Sequence, residues 1–160
     1  MNNLVYVGYI SGPFGIKGEL KIISDSNHLD KIFKEGNNLI IDNNEYQIIK
    51  YHFHKHHLVT FEGFEDINLI NDLVKKDVYI KRESINLNDG EYLYADLIGC
   101  KIVDDGKKIG VVTDLLYNKN TIYIKSNNLI IPLVSKYFEK LDFENKIVYV
   151  KASKELMLWK

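Results

Sequence analysis

Short segments in which apolar and polar residues alternate, separated by turn residues, dominate this chain and are typical of β-strands. Many of their apolar members are β-branched or aromatic, and such side chains pack well on a pleated sheet. The predicted strands are residues 4–10, 19–23, 39–41, 46–51, 59–64, 78–80, 97–103, 109–116, 121–125, 129–131 and 146–150. Turn residues such as Asp104-Asp105-Gly106-Lys107 predict hairpins between several of them.

Helical periodicity is limited to short stretches. Residues 27–33 follow a candidate N-cap at Ser26 or Asn27, residues 66–74 follow one at Asp66, and residues 135–138 predict one further turn. The apolar tail at 155–159 is expected to fold back on a domain. The predicted fold class is therefore mainly β with a few short helices, and closure into small barrels would hide the strand edges.

A polar run without apolar periodicity interrupts the pattern after residue 82. It divides the chain into predicted domains at residues 1–83 and 91–160, joined by a linker at 84–90. Each domain has about 80 residues, and chains of that size bury only about 60–65% of their unfolded surface. Contact with each other or with a partner would therefore stabilise them.

Composition excludes several classes of protein. The formal net charge of −1 gives no global basic field for nucleic acid, which leaves only local patches for such a contact. The single cysteine, Cys100, lies in an apolar run and is best interpreted as a small core residue. No signal-peptide pattern and no run of 18 apolar residues is present, so we expect a cytoplasmic protein without membrane attachment.

A glycine-rich connection, residues 12–18 (GPFGIKG), joins the first two predicted strands. No G-K-[ST] pattern and no helix follows it, which excludes a P-loop, and its glycine spacing excludes a dinucleotide fingerprint. It predicts a wide hairpin or barrel corner that needs positive φ angles. Its backbone N–H groups, with Lys17 and Lys21 nearby, are candidate phosphate contacts.

The stretch at residues 91–99 (EYLYADLIG) carries three large side chains directly after the linker, Tyr92, Leu93 and Tyr94. Tyrosine suits binding surfaces because it buries apolar area while keeping one polar contact. Two interpretations stay open. The residues alone slightly favour side chains that plug the bottom of the second barrel, over a docking surface for the first domain or a partner.

Four of the five histidines lie within residues 51–59. In a single strand, His52, His54 and His56 would share one face, where three imidazoles are able to hold a metal ion. No carboxylate or cysteine lies beside them at ligand spacing, so we favour a solvated hairpin tip and expect no metal. A contact with RNA phosphate or a stacked base is the intermediate interpretation.

No catalytic set is recognisable in the sequence. It has no Ser/His/Asp signature, no H-E-x-x-H motif and no paired cysteines. We therefore expect a protein that is not an enzyme and that needs no cofactor.

Three motifs together resemble the RimM family of ribosome maturation factors: residues 7–19, residues 91–99 and residues 129–132 (LIIP). They occur in the family's order and spacing over nearly the whole chain. The resemblance implies an N-terminal six-stranded barrel like those of translation factors, followed by a PRC-type barrel. It also implies a non-catalytic factor that binds the head of the immature small ribosomal subunit, through ribosomal protein S-nineteen and nearby 16S rRNA. Such a factor assists 16S rRNA processing and head maturation, and we expect a monomer.

The resemblance also implies roles for individual residues. It places the ribosomal-protein-binding site at Tyr92, Leu93 and Tyr94, and it leaves Lys17 and Lys21 as the candidate rRNA contacts. Its structural signature loop comprises Gly8, Gly12, Phe14, Gly15 and Gly18.

Two positions depart from the family pattern. Phe14 replaces the usual histidine, which removes any hydrogen bond of that imidazole. Leu93 replaces the second of two adjacent aromatics, so one ring is missing from the expected contact, while Tyr94 matches the usual tryptophan.

Two other classes of function compete with this interpretation. An electron-transport or membrane-associated module of the PRC type would rest on the second barrel alone and would leave the glycine-rich connection unexplained. An enzyme acting on RNA would need a base or metal set that the sequence does not supply.

Overall fold

The computed structural model of the protein describes residues 3–127 and 129–157. Those residues form thirteen β-strands, two short α-helices and four single-turn 3-10 helices, which confirms the predicted mainly β fold class. No helix among them is both long enough and apolar enough to cross a membrane. The chain divides into two compact units, Met1–Asp89 and Gly90–Lys160.

The first unit is a closed barrel, as its alternating pattern predicts, and it has the six strands that the family resemblance implied. Its strands are β1 (Leu4–Phe14), β2 (Glu19–Ile23), β3 (Asn38–Ile41), β4 (Asn44–His54), β5 (His56–Phe61) and β6 (Asp77–Lys81). They follow the order β1-β2-β5-β4-β3-β6, all pairs are antiparallel, and β6 closes the barrel against β1. Closure leaves no long edge open to another chain.

Helix α1 (Leu29–Ile32) is shorter than the helix predicted at 27–33, and its N-cap is His28, which has a left-handed φ of 54°. Neither Ser26 nor Asn27 is the N-cap. The Ser26 hydroxyl donates instead to the Val7 carbonyl of β1 at 3.4 Å, which holds it on the barrel. The side chains that follow, Ile32 and Phe33, are fully buried in the first unit.

The predicted helix at 66–74 is two 3-10 helices, Ile67–Leu69 and Asn71–Leu73. The predicted cap is confirmed, since the Asp66 carboxylate accepts the Asn68 N–H at 2.8 Å. The buried side chains of the segment, Ile70 and Leu73, are three residues apart. That spacing matches the three residues per turn of a 3-10 helix.

The second unit contains two sheets. One has three strands in the order β11-β10-β9, and the other has four in the order β12-β13-β7-β8. The strands are β7 (Lys101–Asp104), β8 (Lys107–Val111), β9 (Asp114–Asn118), β10 (Thr121–Lys125), β11 (Ile130–Pro132), β12 (Phe138–Asp142) and β13 (Ile147–Val150). Every pair is antiparallel except β7 with β13, which run parallel.

One apolar core serves both sheets of the second unit. Its buried members are Leu97, Cys100, Ile102, Val112, Ile124, Leu129, Ile131, Val148 and Val150. The core position of Cys100 confirms its interpretation as a small buried side chain. Helix α2 (Lys154–Met157) adds Leu156 to this core, while Leu158 and Trp159 of the predicted tail lie outside the described residues.

Two predicted strands of this unit are wrong in their extent. Residues 109–116 form β8 and β9 rather than one strand, because the chain changes sheets between them. The Val112 N–H donates to Cys100 O at 2.9 Å on the four-stranded side, and the Thr113 N–H donates to Lys125 O at 2.7 Å on the other. The strand predicted at 97–103 begins only at Lys101, and residues 135–137 form a turn rather than a helix before β12.

Candidate functional site

The glycine-rich connection is a tight extension of the β1–β2 hairpin. Both strands pair up to Phe14 and Glu19, which leaves a turn of residues 15–18. Gly15 and Gly18 have φ angles of +73° and +85°, a region that only glycine adopts at little cost. The connection is a hairpin, one of the two predicted forms, but it is tighter than the wide hairpin predicted, because strand pairing continues to Phe14 and Glu19.

Gly18 also lies against the neighbouring backbone. A Cβ added there would lie 2.1 Å from the Phe64 carbonyl oxygen and 2.8 Å from the Asp66 nitrogen. Close by, the Ile67 N–H donates to Ile16 O at 3.2 Å. The turn is therefore fixed to the segment that precedes the first 3-10 helix.

The remaining signature glycines have different roles. At Gly8, an added Cβ would lie 2.0 Å from the Ile23 carbonyl oxygen, at a place where the register of β1 shifts. At Gly12 and Gly15, an added Cβ would meet no atom within 4 Å. The structure thus requires the missing side chain at Gly8 and Gly18, and a positive φ at Gly15 and Gly18.

The tip of the connection is an apolar surface with one lysine. Ile16 is 74% exposed, Phe14 is 37% exposed, and Lys17 is exposed beside them. Lys21 is half-buried, and its carbonyl accepts the Ser11 hydroxyl at 3.3 Å. Sequence reasoning singled out the lysines and missed the exposure of Ile16, because an isoleucine between glycines gives no periodic signal.

The stretch at 91–99 folds into the 3-10 helix Tyr94–Leu97, not into a strand. The Asp96 carboxylate accepts the Leu93 N–H at 3.0 Å, and the Asp96 N–H donates back to Leu93 O at 2.9 Å. The Cys100 thiol donates to the Asp96 carbonyl at 3.2 Å. Asp96, which the motif-based reasoning did not single out, therefore fixes the backbone that carries the two tyrosines.

The tyrosines form a small aromatic cluster. The rings of Tyr92 and Tyr94 lie 6.5 Å apart in an edge-to-face arrangement, and Tyr92 lies 5.8 Å from the Phe138 ring of β12. Both tyrosines are half-buried, and burial followed by the proximity of Tyr94 raises the pKa of the Tyr92 phenol. Ile98, directly after the helix, is 48% exposed. The surface-accessible residues of this stretch, Tyr92, Tyr94 and Ile98, are together termed the aromatic surface below.

One residue of the predicted binding site needs correction. Leu93 is only 2% exposed, so in this conformation its side chain offers almost no area to a partner. Leu93 is a buried side chain of the second unit, as the first interpretation of the stretch has it. Tyr92 and Tyr94 remain partly accessible to a partner, as the second interpretation requires. The assignment of Tyr92 and Tyr94 as a partner site stays a prediction.

The histidine-rich stretch is the hairpin of β4 and β5, which turns at Lys55 with a φ of 62°. His54 pairs with His56 across this turn, so the predicted shared face is built from two strands rather than one. His52 contacts Glu19 of β2, with 2.5 Å between Nε2 and Oε2. Among the described residues, no three His, Cys, Asp or Glu side chains are grouped to hold a metal ion.

Comparison with known proteins covers both units. Residues 5–85 match the family described as RimM N-terminal domain, and residues 89–157 match the PRC-barrel domain. A "Ribosome maturation factor RimM" from Exiguobacterium sp. strain AT1b is 34% identical over 158 residues, covering 91% of this chain and 92% of the relative. The protein of that name from Staphylococcus aureus strain NCTC 8325 is 35% identical over 164 residues, covering 96% and 98%.

A solved structure adds one further likeness. The solution structure of the N-terminal domain of RimM from Thermus thermophilus covers 52% of this chain and 95% of its own, with 19% identity and a TM-score of 0.45.

The chain therefore consists of a RimM N-terminal domain followed by a PRC-barrel domain. Identity above 30% to its relatives extends through both parts. The chain belongs to the RimM family of ribosome maturation factors.

Proposed function

We propose that this protein binds the immature small ribosomal subunit and assists processing of its 16S rRNA and maturation of its head, without catalysing a reaction. Membership of the RimM family carries the proposal, because the relatives that share both units are named ribosome maturation factors. It accounts for the first unit as well as the second, whereas an electron-transport module would account for the second alone. The site of action would be the cytoplasm, where ribosomal subunits assemble.

The aromatic surface is the part of the second unit best suited to a protein partner, for which we propose ribosomal protein S-nineteen. Tyr92 and Tyr94 combine large apolar rings with hydroxyl groups, and such residues dominate the energetics of many interfaces. The Asp96 hydrogen bond fixes their backbone, so little conformational freedom is lost on binding. Ile98, four residues after Tyr94 in the chain, adds exposed apolar area.

The glycine-rich connection is the proposed rRNA contact of the first unit. Lys17 is exposed on a turn whose backbone is held by the pairing of β1 with β2. Lys21 is half-buried and follows Leu20 on β2. Each lysine that neutralises an RNA phosphate adds about 0.7–0.9 to the slope of log affinity against log salt. With a net charge of −1 the protein has few such contacts, so most of the affinity would come from its protein partner.

The proposal is tested by capture of assembly intermediates. The tagged protein is mixed with bacterial lysate, and the retained rRNA and ribosomal proteins are identified by sequencing and mass spectrometry. We expect precursor 16S rRNA and small-subunit proteins. The combined variant Tyr94→Ala and Ile98→Ser should reduce capture about 10-fold or more, since a lost hot-spot contact costs about 2 kcal/mol.

A matched control is Tyr117→Ala, which removes a tyrosine that is 44% exposed on β9 of the same unit. It should leave capture unchanged. Recovery of mature subunits only, or of no small-subunit component, would overturn the proposed function. Equal loss in the control variant would overturn the assignment of the aromatic surface alone.

A further inference from the structure

The hairpin of β4 and β5 carries most of the histidines of the protein together with two lysines. Residues 46–61 contain no Asp or Glu, although the whole chain has 22 of these residues. The same segment contains Lys50, Lys55 and four of the five histidines. Glu19 of β2 contacts His52, whereas the tip beyond it, with Lys55, is a local surface suited to a polyanion.

One side of the hairpin is a row of stacked rings that begins in the barrel core. The buried ring of Phe33 stacks on Tyr51 at 5.5 Å, and Tyr51 stacks on His57 at 6.1 Å with planes 16° apart. The Tyr51 hydroxyl and His57 Nδ1 are hydrogen-bonded at 2.9 Å, which holds the two rings together.

Phe53 is the outermost ring of this row. Its centroid lies 5.1 Å from that of His57, and its side chain is 62% exposed. Exposing the apolar surface of a phenylalanine to water is unfavourable in free energy. The contact with the His57 ring holds Phe53 in this position. A flat ring presented in this way is the element on which proteins stack an unpaired nucleobase.

Polar groups lie beyond this ring at the tip, but His54 and His56 face the opposite side of the hairpin, because side chains alternate between faces along a strand. Lys55 occupies the turn itself, and His54 and His56 pair across it. All three are at the surface, with His54 and Lys55 exposed and His56 half-buried. The ammonium group of Lys55, two residues after Phe53 in the chain, donates hydrogen bonds to phosphate oxygens and is the anion donor of the tip.

We propose that the tip of the β4–β5 hairpin binds a single-stranded segment of RNA. One base stacks on Phe53, and an adjoining phosphate accepts hydrogen bonds from Lys55 in the turn. The segment is single-stranded because an RNA duplex keeps its base faces stacked on one another, where a protein ring does not reach them. The inference rests on the proposed function, to which it adds a second rRNA contact separate from Lys17 and Lys21.

The test measures binding of the full chain to a fluorescent RNA of about 12 nucleotides, composed of A and C only, by fluorescence anisotropy. Phe53→Ala should weaken binding about 10-fold, because stacking of one base on an aromatic ring is lost. Phe53→Trp should retain or strengthen it. Phe143→Ala, which removes a ring that is 52% exposed in the second unit, is the matched control and should have no effect.

The charge contribution has its own pair of variants. Lys55→Asn should lower the salt slope by about 0.7, the value for one phosphate on a single strand. Lys75→Asn is the control, because Lys75 is also exposed and also has a positive φ, of 71°, which asparagine tolerates. Lys75→Asn should leave the slope unchanged.

The proposal is overturned if Phe53→Ala binds the RNA as tightly as the unaltered protein, or if duplex RNA or polyglutamate competes as well as single-stranded RNA. Competition by polyglutamate would identify a general anion surface that also accepts acidic peptides. These results are distinct from failure of the proposed function, because capture of small-subunit precursors would persist through the aromatic surface. Loss of precursor capture with intact RNA binding at the tip would overturn the proposed function instead.

Discussion

Four glycines of the first unit separate the effect of backbone conformation from that of steric contact. Gly12 has neither constraint, Gly15 has only a positive φ, Gly8 has only a close neighbour, and Gly18 has both. Replacing each of them singly by alanine adds the same methyl group in four defined environments. The series therefore tests which physical requirement keeps glycine in the connection between β1 and β2.

The expected costs follow from these environments. Alanine at Gly12 should change the free energy of unfolding by less than about 1 kcal/mol, in the stabilising direction if the strand accepts it. A left-handed backbone costs alanine about 1–2 kcal/mol, which is the expectation for Gly15. Forced overpacking costs about 1–3 kcal/mol, which applies at Gly8 with its 2.0 Å contact. Gly18 combines both effects, for about 2–5 kcal/mol.

The assay is urea unfolding of the full chain followed by far-UV circular dichroism, with hydrogen exchange of peptides from β1 and β2 to assign the loss to the first unit. Peptides from β7 and β8 serve as the internal control and should exchange at unchanged rates. If Gly18→Ala is no more costly than Gly15→Ala, the close approach to Phe64 is not rigid. If Gly15→Ala is neutral, the positive φ is not a constraint, and the reasoning fails.

Other predictions concern single interactions. Burial and then His56 lower the pKa of His57 below its ordinary 6.5. The unfolded chain therefore binds more protons than the folded one, and the free energy of unfolding should fall as the pH drops below 6.5. In urea titrations at several pH values, His57→Gln should have a smaller pH dependence than the unaltered protein. Asp96→Ala should cost about 2 kcal/mol in urea unfolding by removing the acceptor of the Leu93 N–H, and Asp96→Asn less. Leu93→Ala should cost about 2–5 kcal/mol in the same assay, whereas exposed Ala95→Ser should cost almost nothing.

Local patterns predicted the strands and hairpins of this protein well. The alternation of Glu19–Ile23 gives β2 with Leu20 and Ile22 buried, and the Asp105-Gly106 turn joins β7 to β8 with positive φ at both residues. Such features depend on neighbours in the chain, which the sequence contains. The closed barrel was expected because it hides strand edges, but its six strands were expected only from the family resemblance.

Features that depend on distant contacts were not predictable. The apolar pair Leu97 and Ile98 looks like the start of a strand, but the hydrogen bond between Leu93 and Asp96 holds the chain in a 3-10 turn instead. The change of sheet at Val112 depends on carbonyl groups of Cys100 and Lys125. In the candidate site, the types of residue at 92–94 suggested binding, but only the fold shows that Leu93 faces away from solvent.

The parallel pairing of β7 with β13 has a consequence for biosynthesis. β7 is the first strand of the second unit in chain order. β13, which lies between β12 and β7 in the sheet, is the last of its described strands to be synthesised. The four-stranded sheet thus stays incomplete until translation has passed Val150, whereas the barrel has all of its strands once Lys81 is added. A nascent chain emerging from its own ribosome would therefore acquire the first unit well before the second.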